Sequence, residues 1–570
     1  SVDGVVEAVN FNEPNQTVIA GEKEAIEKAC VALKDAGAKR ALPLAVSGPF
    51  HSSLMKEAGE ELKVEAQNYN FNIADVKIVA NTTAELLETD AEVKEEIYKQ
   101  SFGPVKWVDT INKLKALGVT KIYEIGPGKV LAGLIKKIDK ETFLEIRKKF
   151  LENYKSLDDF DLDTAIRFHK SLPDYKNFQK KLNKAIKDNR TMIQAYSKET
   201  LLEDLIKNLN TFHRVGQADF LSIIIDSHTR ENHYDNAKVS LEDSIKSNRS
   251  LLNGFPLVNY GIKLARKILN DVEVPLQIKH GSPDARLLAE VTLLSGFSAF
   301  DGGGISHNIP FSKSISLKDS LENWKYVDRL VGFYEENGIN INREIFSPLT
   351  ATLVPPAISN SIQILEALLA VEQGVKNISV GVAQYGNITQ DIASLLALKE
   401  QIQFYLDSFS FKDINISTVF SEWIGGFPEE ELKAYSLISY SATISLFSKA
   451  NRVFIKNIDE YSKNSLGNTM VNSLILTKTI LEIGNNQKIT NYEEIILEKE
   501  QIKKETAQIL AKIFSKCNGN LSEAIIEAFK EGIIDIPFAP SKYNLGKMMP
   551  ARDNEGMIRY LDIGNLPFCP

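Results

Sequence analysis

Between positions 226 and 311 the chain places an arginine, a lysine, two histidines and an aspartate at the ends of short apolar runs. They are Arg230 in DSHTREN, Lys279 and His280 in QIKHG, Asp301 in FDGGG and His307 in ISHNIPF. Arginine offers a planar fork that grips a carboxylate through two parallel hydrogen bonds, whereas lysine offers only a point charge. Further on, Lys456 and Glu460 in RVFIKNIDE are spaced so that a helical segment would put them on one face. Taken singly, such a pair is most often a solvated salt bridge. The three glycines after Asp301 follow no G-x-G-x-x-G pattern and read as a strand-end turn. Near the start, His51 follows a Gly-Pro turn in VSGPFHSSLM. An imidazole there could deprotonate a serine nucleophile, yet no G-x-S-x-G elbow occurs in the chain.

The elements that must carry these groups read as alternating strands and helices. From Met192 onward, apolar runs such as TMIQAY, ADFLSIIID, LLNGF, PLQIKH, FSAFDG, SPLTATLV, NISVGVA, NISTVF and RVFIKN alternate with longer amphipathic stretches. Buried β-branched strands separated by helices predict a parallel sheet, and about eight such units predict a (β/α)8 barrel. Nine candidates for eight places means that at least one is not a barrel strand. Residues 1–139 have a different texture, with strand-like TVIAG, KIVAN and KIYEIG and a helical stretch EKEAIEKACVALKDAG. The expected organisation is therefore a mixed α/β portion over 1–139 and a barrel over 140–570, joined by charged helix without a Pro/Gly/Ser linker.

The bulk numbers exclude several classes. The chain has 570 residues, 43% hydrophobic and 25% charged, with a net charge of -8 and Lys and Glu interspersed. No basic stripe points to nucleic acid, and no apolar run is long enough to span a membrane. Three cysteines without metal-ligand spacing fit a reducing cytoplasm.

Five segments, NGFPLVNYGIKLARKI (253–268), PLQIKHGSPDARLLAEV (275–291), GFSAFDGGGIS (296–306), SPLTATLVPP (347–356) and EQGVKNISVGVAQYGN (372–387), resemble the catalytic epsilon subunit of glutamate mutase (methylaspartate mutase). The resemblance runs from about Glu141 to the last residues. It implies a radical mutase whose adenosylcobalamin caps the C-terminal mouth of the barrel. Lys456 and Glu460 match positions that hold the adenosyl ribose in that family; Asn253, Pro310 and Phe427 match corrin- or adenosyl-contacting positions. At the substrate, Arg230 matches one of three family arginines, while Tyr196 and Lys279 stand where the family has the other two. Lys279 precedes His280, Asp301 replaces a longer glutamate, and His307 and Phe311 replace tyrosines. One guanidinium in place of three fits a substrate with one free and one masked carboxylate. The expected substrate is a carrier-bound dicarboxylic acyl thioester of the methylmalonyl/succinyl type. Free glutamate, or a catalytically silent scaffold that docks a carrier protein, are the alternatives. DSHTREN lacks the closing glycine of the cobalamin-binding D-x-H-x-x-G motif, so a small sigma-type subunit is expected to supply the cobalt ligand.

In the first portion, VSGPFHSSLM, ANTTAEL, QSFGPVKW and EIGPGKVL, in that order, resemble the C-terminal half of a malonyl-CoA:acyl carrier protein acyltransferase. The resemblance makes His51 the general base and Gln100 the residue whose backbone carbonyl orients it, with an acyl carrier protein as partner. The nucleophile elbow would lie before residue 1, and the barrel family continues beyond the last residue. Both ends are therefore expected to be truncated.

Overall fold

The computed structural model describes residues 2–568 apart from 45, 74, 120–121, 127, 155–159, 347–352, 460–467, 485–486 and 488–491. The chain divides into two compact units, Ser1–Phe150 and Leu151–Pro570.

In the first unit, β1 (Val6–Glu13) and β2 (Gln16–Gly21) form an antiparallel hairpin, and β3 (Ile78–Val79) pairs with β4 (Leu86–Leu87). TVIAG and KIVAN thus supply strands, whereas residues 122–126 of KIYEIG have no strand pairing. The expected helix forms as Lys23–Asp35. Helix Asp90–Gln100 starts in a capping box between Thr89 and Glu92, which satisfies two otherwise orphaned amides.

The second unit contains a closed parallel barrel. Its strands are β5 (Met192–Ser197), β6 (Phe220–Ile224), β7 (Leu276–Lys279), β8 (Ala299–Asp301), β9 (Asn342–Glu344), β10 (Asn377–Ala383), β11 (Asn415–Ser421) and β12 (Arg452–Phe454), in chain order around the ring. Two expectations change here. LLNGF is not a barrel strand; it contributes only an isolated bridge from Phe255 to Ile225. The missing place belongs to β9, whose Asn-Arg-Glu composition hides it from hydropathy. SPLTATLV lies mostly outside the described residues.

Barrels of this type usually fill their interior with Val, Ile and Leu. This interior carries a hydrogen-bonded polar column instead. Gln194 Nε2 donates to Ser222 Oγ at 2.6 Å and to Gln277 Oε1 at 2.7 Å, and Gln277 Nε2 donates to Glu344 Oε2 at 3.0 Å. Arg452 bridges Gln194 and Glu344. One layer lower, Asn342 Nδ2 donates to Ser379 Oγ at 2.9 Å and to Gln179 Oε1 at 2.6 Å. Gln179 belongs to helix Phe178–Lys187, which is capped by Asn177 and closes the N-terminal end of the barrel. There Phe178 packs on Phe220 with ring centroids 4.2 Å apart, in a buried cluster with Leu182, Ala185 and Met192. After the barrel, helices Glu493–Phe514 and Leu521–Glu531 lead to a hairpin of β13 (Met549–Arg552) and β14 (Ile558–Asp562). Among the described residues, no helix is long and apolar enough to cross a membrane.

Candidate active site at the C-terminal mouth of the barrel

Strand ends deliver the site. Lys279, the last residue of β7, points its ammonium at two carboxylates, Glu344 Oε1 of β9 at 2.6 Å and Asp301 Oδ2 of β8 at 3.0 Å. Burial alone would drain charge from this lysine, but the two carboxylates overrule it and hold its pKa above the ordinary value. Burial would likewise raise Glu344, yet Lys279 and Arg452 hold it down at about 2. Arg452 Nη2 reaches Glu344 Oε2 at 2.6 Å. Burial dominates at Asp301, pushing it up to about 6 against the pull of Lys279.

Above this chain of alternating charges lie two neutral imidazoles. His280 accepts from the Ser282 amide through Nδ1 at 3.0 Å, while its own amide donates to Asp301 Oδ1 at 3.0 Å. Its ring lies parallel to Trp324 at 5.8 Å and edge-on to His307 at 5.0 Å. Burial holds His280 well below the usual histidine range and His307 at about 3, with neighbouring cations adding to both. His280 Nε2 and His307 Nδ1 are buried without a hydrogen-bond partner.

Arg230 ends the short helix Ser227–Arg230, whose first turn is capped by Asp226 accepting from the Thr229 amide at 3.0 Å. Its Nε is buried without a partner, and its charge acts on both His280 and His307. Burial lowers its pKa, but a guanidinium stays charged at any physiological pH. Asn253 fastens this helix, accepting from the Ser227 amide through Oδ1 at 2.9 Å.

Tyr196, at the end of β5, lies parallel to Phe454 of β12 at 5.5 Å. Lys456 sits 5.5 Å from the Tyr196 ring, and Lys279 sits 5.0 Å from the Phe454 ring. Phe311 is 38% exposed at the rim, 5.7 Å from His307. Pro310 precedes it in the same loop, half-buried. Phe427 packs on Ala434, Ile438 and Ile458 with Tyr435 and Leu476. The segment after Lys456 is not helical through Asp459, so the spacing argument for Lys456 and Glu460 does not hold there. Glu460 itself lies outside the described residues. Lys456 is instead fixed through its amide, which donates to Glu422 Oε2 at 2.9 Å.

The structure thus brings Arg230, Lys279, His280, Asp301 and His307 together, and it adds Glu344, Arg452 and Trp324, which sequence reasoning missed. Charged residues between Ile341 and Ile345 were the available signal for Glu344. In the first unit, His51 has a left-handed φ of 66°, and its amide donates to Ser101 O at 3.0 Å. Its Nδ1 is buried without a partner, so the Gln100 carbonyl does not hold it. The Gln100 side chain donates to Glu96 at 2.7 Å. Among the described residues no group of acids, histidines or cysteines is arranged to hold a metal ion.

A closed parallel barrel with convergent, buried charges at the C-terminal ends of its strands is the architecture of barrel enzymes, whose chemistry sits at that face. The family model described as "Methylaspartate mutase E chain (MutE)" matches residues 172–570. A glutamate mutase epsilon subunit from Fusobacterium nucleatum is 88% identical over 435 residues, covering 76% of this chain and 90% of that protein. Another from Treponema denticola is 45% identical over 433 residues, covering 76% and 89%. The chain belongs to the methylaspartate mutase E chain family, a family of isomerases. The N-terminal part is similar to an acyl-carrier-protein S-malonyltransferase from Burkholderia pseudomallei, 49% identical with a TM-score of 0.24, covering 24% of this chain and 45% of that one. The chain therefore spans less than half the length of that transferase.

Proposed function

We propose that this chain is the catalytic subunit of an adenosylcobalamin-dependent carbon-skeleton mutase that interconverts glutamate and 3-methylaspartate. The observation that carries this reading is the Lys279–Asp301 ion pair in the same pocket as Arg230. A buried cation and anion at 3.0 Å are the complement of an amino-acid head: its carboxylate can take the place of Asp301 on Lys279, and its ammonium the place of Lys279 on Asp301. Arg230 then takes the distal carboxylate. Glu344 keeps Lys279 charged throughout, and the neutral imidazoles of His280 and His307 position the substrate without adding charge.

The mouth fits the cofactor that family membership implies. Phe311, 38% exposed, stands beside His307, whose Nδ1 is buried without a partner as is Arg230 Nε, as suits an opening covered by a large flat group. Lys456 would hold its ribose. When bound, this group supplies the weak cobalt–carbon bond whose homolysis starts hydrogen abstraction. The curated relatives are named as one subunit of the enzyme, which supports a sigma-type partner carrying the cobalt ligand.

A second reading keeps the mutase chemistry but takes a carrier-bound methylmalonyl-type thioester. The unpartnered nitrogens of His280 and His307 favour it, since a neutral carbonyl could accept there. On this reading the first unit is the remainder of a malonyl-type acyltransferase with His51 as its base, and an acyl carrier protein is the partner.

EPR on the full protein with its cobalamin-binding partner and adenosylcobalamin separates the two. A cobalt(II)–radical signal with glutamate supports the first reading. A signal confined to the thioester overturns it, and silence with both substrates despite bound cofactor overturns both.

A further inference from the structure

The loop that follows β8 carries His307 and Phe311 to the mouth, and one buried carboxylate ties its backbone. Glu366, inside helix Pro356–Glu372, accepts from the amides of Ile305 at 2.7 Å and Ser306 at 2.8 Å, both through Oε1. The turn then closes by the His307 amide donating to Gly303 O at 3.1 Å. The glycine run is shaped around this contact. A Cβ on Gly303 would land on the Glu366 carboxylate, and one on Gly302 would land on Trp324 and His307. Gly302 also has a φ of 115°, which side-chain-bearing residues rarely adopt. Trp324 supports the other side, edge-on to His307 at 5.8 Å.

We infer that Glu366 is a positioning residue for the mutase reaction: by collecting the Ile305 and Ser306 amides it fixes the His307 imidazole and the Phe311 ring at the barrel mouth. Glu366 touches neither substrate nor cofactor and acts through His307. The inference rests on the mutase reading for its catalytic part only, since the clamp itself can be observed without turnover.

The test uses the full chain with its cobalamin-binding partner and compares Glu366→Ala with Glu366→Gln, which keeps an acceptor oxygen. Two readouts are followed: KM for glutamate, and the emission of Trp324, isolated by subtracting the same variant carrying Trp324→Phe. Glu366→Ala is expected to raise KM about tenfold or more, with a smaller change in kcat, because two buried amides lose their acceptor and the loop loosens. It is also expected to shift Trp324 emission to the red, and Glu366→Gln is expected to restore both. Gly303→Ala, which crowds the same contact, is expected to repeat the emission shift. An Ala variant with unchanged KM and emission overturns the proposal. So does a folded Gln variant that behaves like Ala. If Trp324 responds as expected while the wild-type protein turns over no glutamate, the clamp stands and the substrate assignment falls.

Discussion

Lys279 is gripped by carboxylates on two sides, and this decides what its loss would do. Lys279→Met leaves Asp301 and Glu344 facing each other in a buried site. The raised carboxyl of Asp301 then rises further and takes up a proton near neutrality. The expected result is loss of glutamate binding together with a melting temperature several degrees lower, because two buried carboxyls lose the cation they shared and proton uptake by Asp301 only partly replaces it. Arg230→Ala removes the distal clamp and is expected to lower kcat/KM about 10²-fold or more, with a small effect on melting. Asp301 titrates at about 6, and only its ionised form can hold an ammonium group. Therefore kcat/KM for glutamate should rise with pH through about 6, and Asp301→Asn should abolish that limb along with most of the activity. A pH–rate profile of the variant that keeps the limb would assign it elsewhere.

At the level of elements, three carboxyls share a design around the C-terminal rim. Glu366 collects the loop after β8, Asp391 accepts from the Tyr385 and Gly386 amides after β10, and Glu422 accepts from the Lys456 amide after β12. Burial pushes them up to about 7, about 7 and about 8 respectively. In the unfolded chain they would titrate near 4, so between pH ~4 and ~8 the unfolded state loses their protons before the folded state does. Their contribution to stability is whole below that window and is lost as pH rises through it. The buried histidines His169, His280 and His307 act in the opposite sense up to pH ~6.5, where the unfolded chain also releases their protons, so melting temperature should fall from about pH 6.5 to ~8. Glu422→Gln should flatten part of that slope, and an unchanged slope would remove Glu422 from the account. The same elements show what the sequence made legible. Most of the barrel strands were visible because their outward faces are apolar and β-branched, as in FLSII and NISVGVA. β9 was not, because Asn342 and Glu344 face the polar interior and Arg343, on the other face, pairs with Asp328, so neither face shows the apolar pattern. Arg230, Lys279, His280, Asp301 and His307 were found through the resemblance of their segments to the glutamate mutase family, which aligned them with its substrate positions. Glu344, Arg452, Glu366 and Glu422 were missed because their roles depend on neighbours distant in sequence, such as Glu366 on Ile305.

On the scale of the whole molecule, the family match begins at residue 172 and the second compact unit at Leu151. A chain beginning at Phe160, just before the Asp161 cap of helix Leu162–Ser171, is expected to fold and to bind adenosylcobalamin with the sigma-type partner. Its melting transition should coincide with the main transition of the full chain, as read by circular dichroism. Failure to melt cooperatively would mean that the first unit is required for the second.

The Phe178–Phe220 stack and the Asn342–Gln179 hydrogen bond leave the barrel shut at its N-terminal end. On the proposed reading, substrate and product would then pass through the opposite mouth, the one that a cofactor-bearing partner would cover. Traffic through it would be ordered: a molecule would enter before the cover seats or wait for it to lift, and product would leave only by reversing that route. The lifetime of the covered assembly would therefore set a ceiling on turnover that no improvement in the chemistry inside could raise.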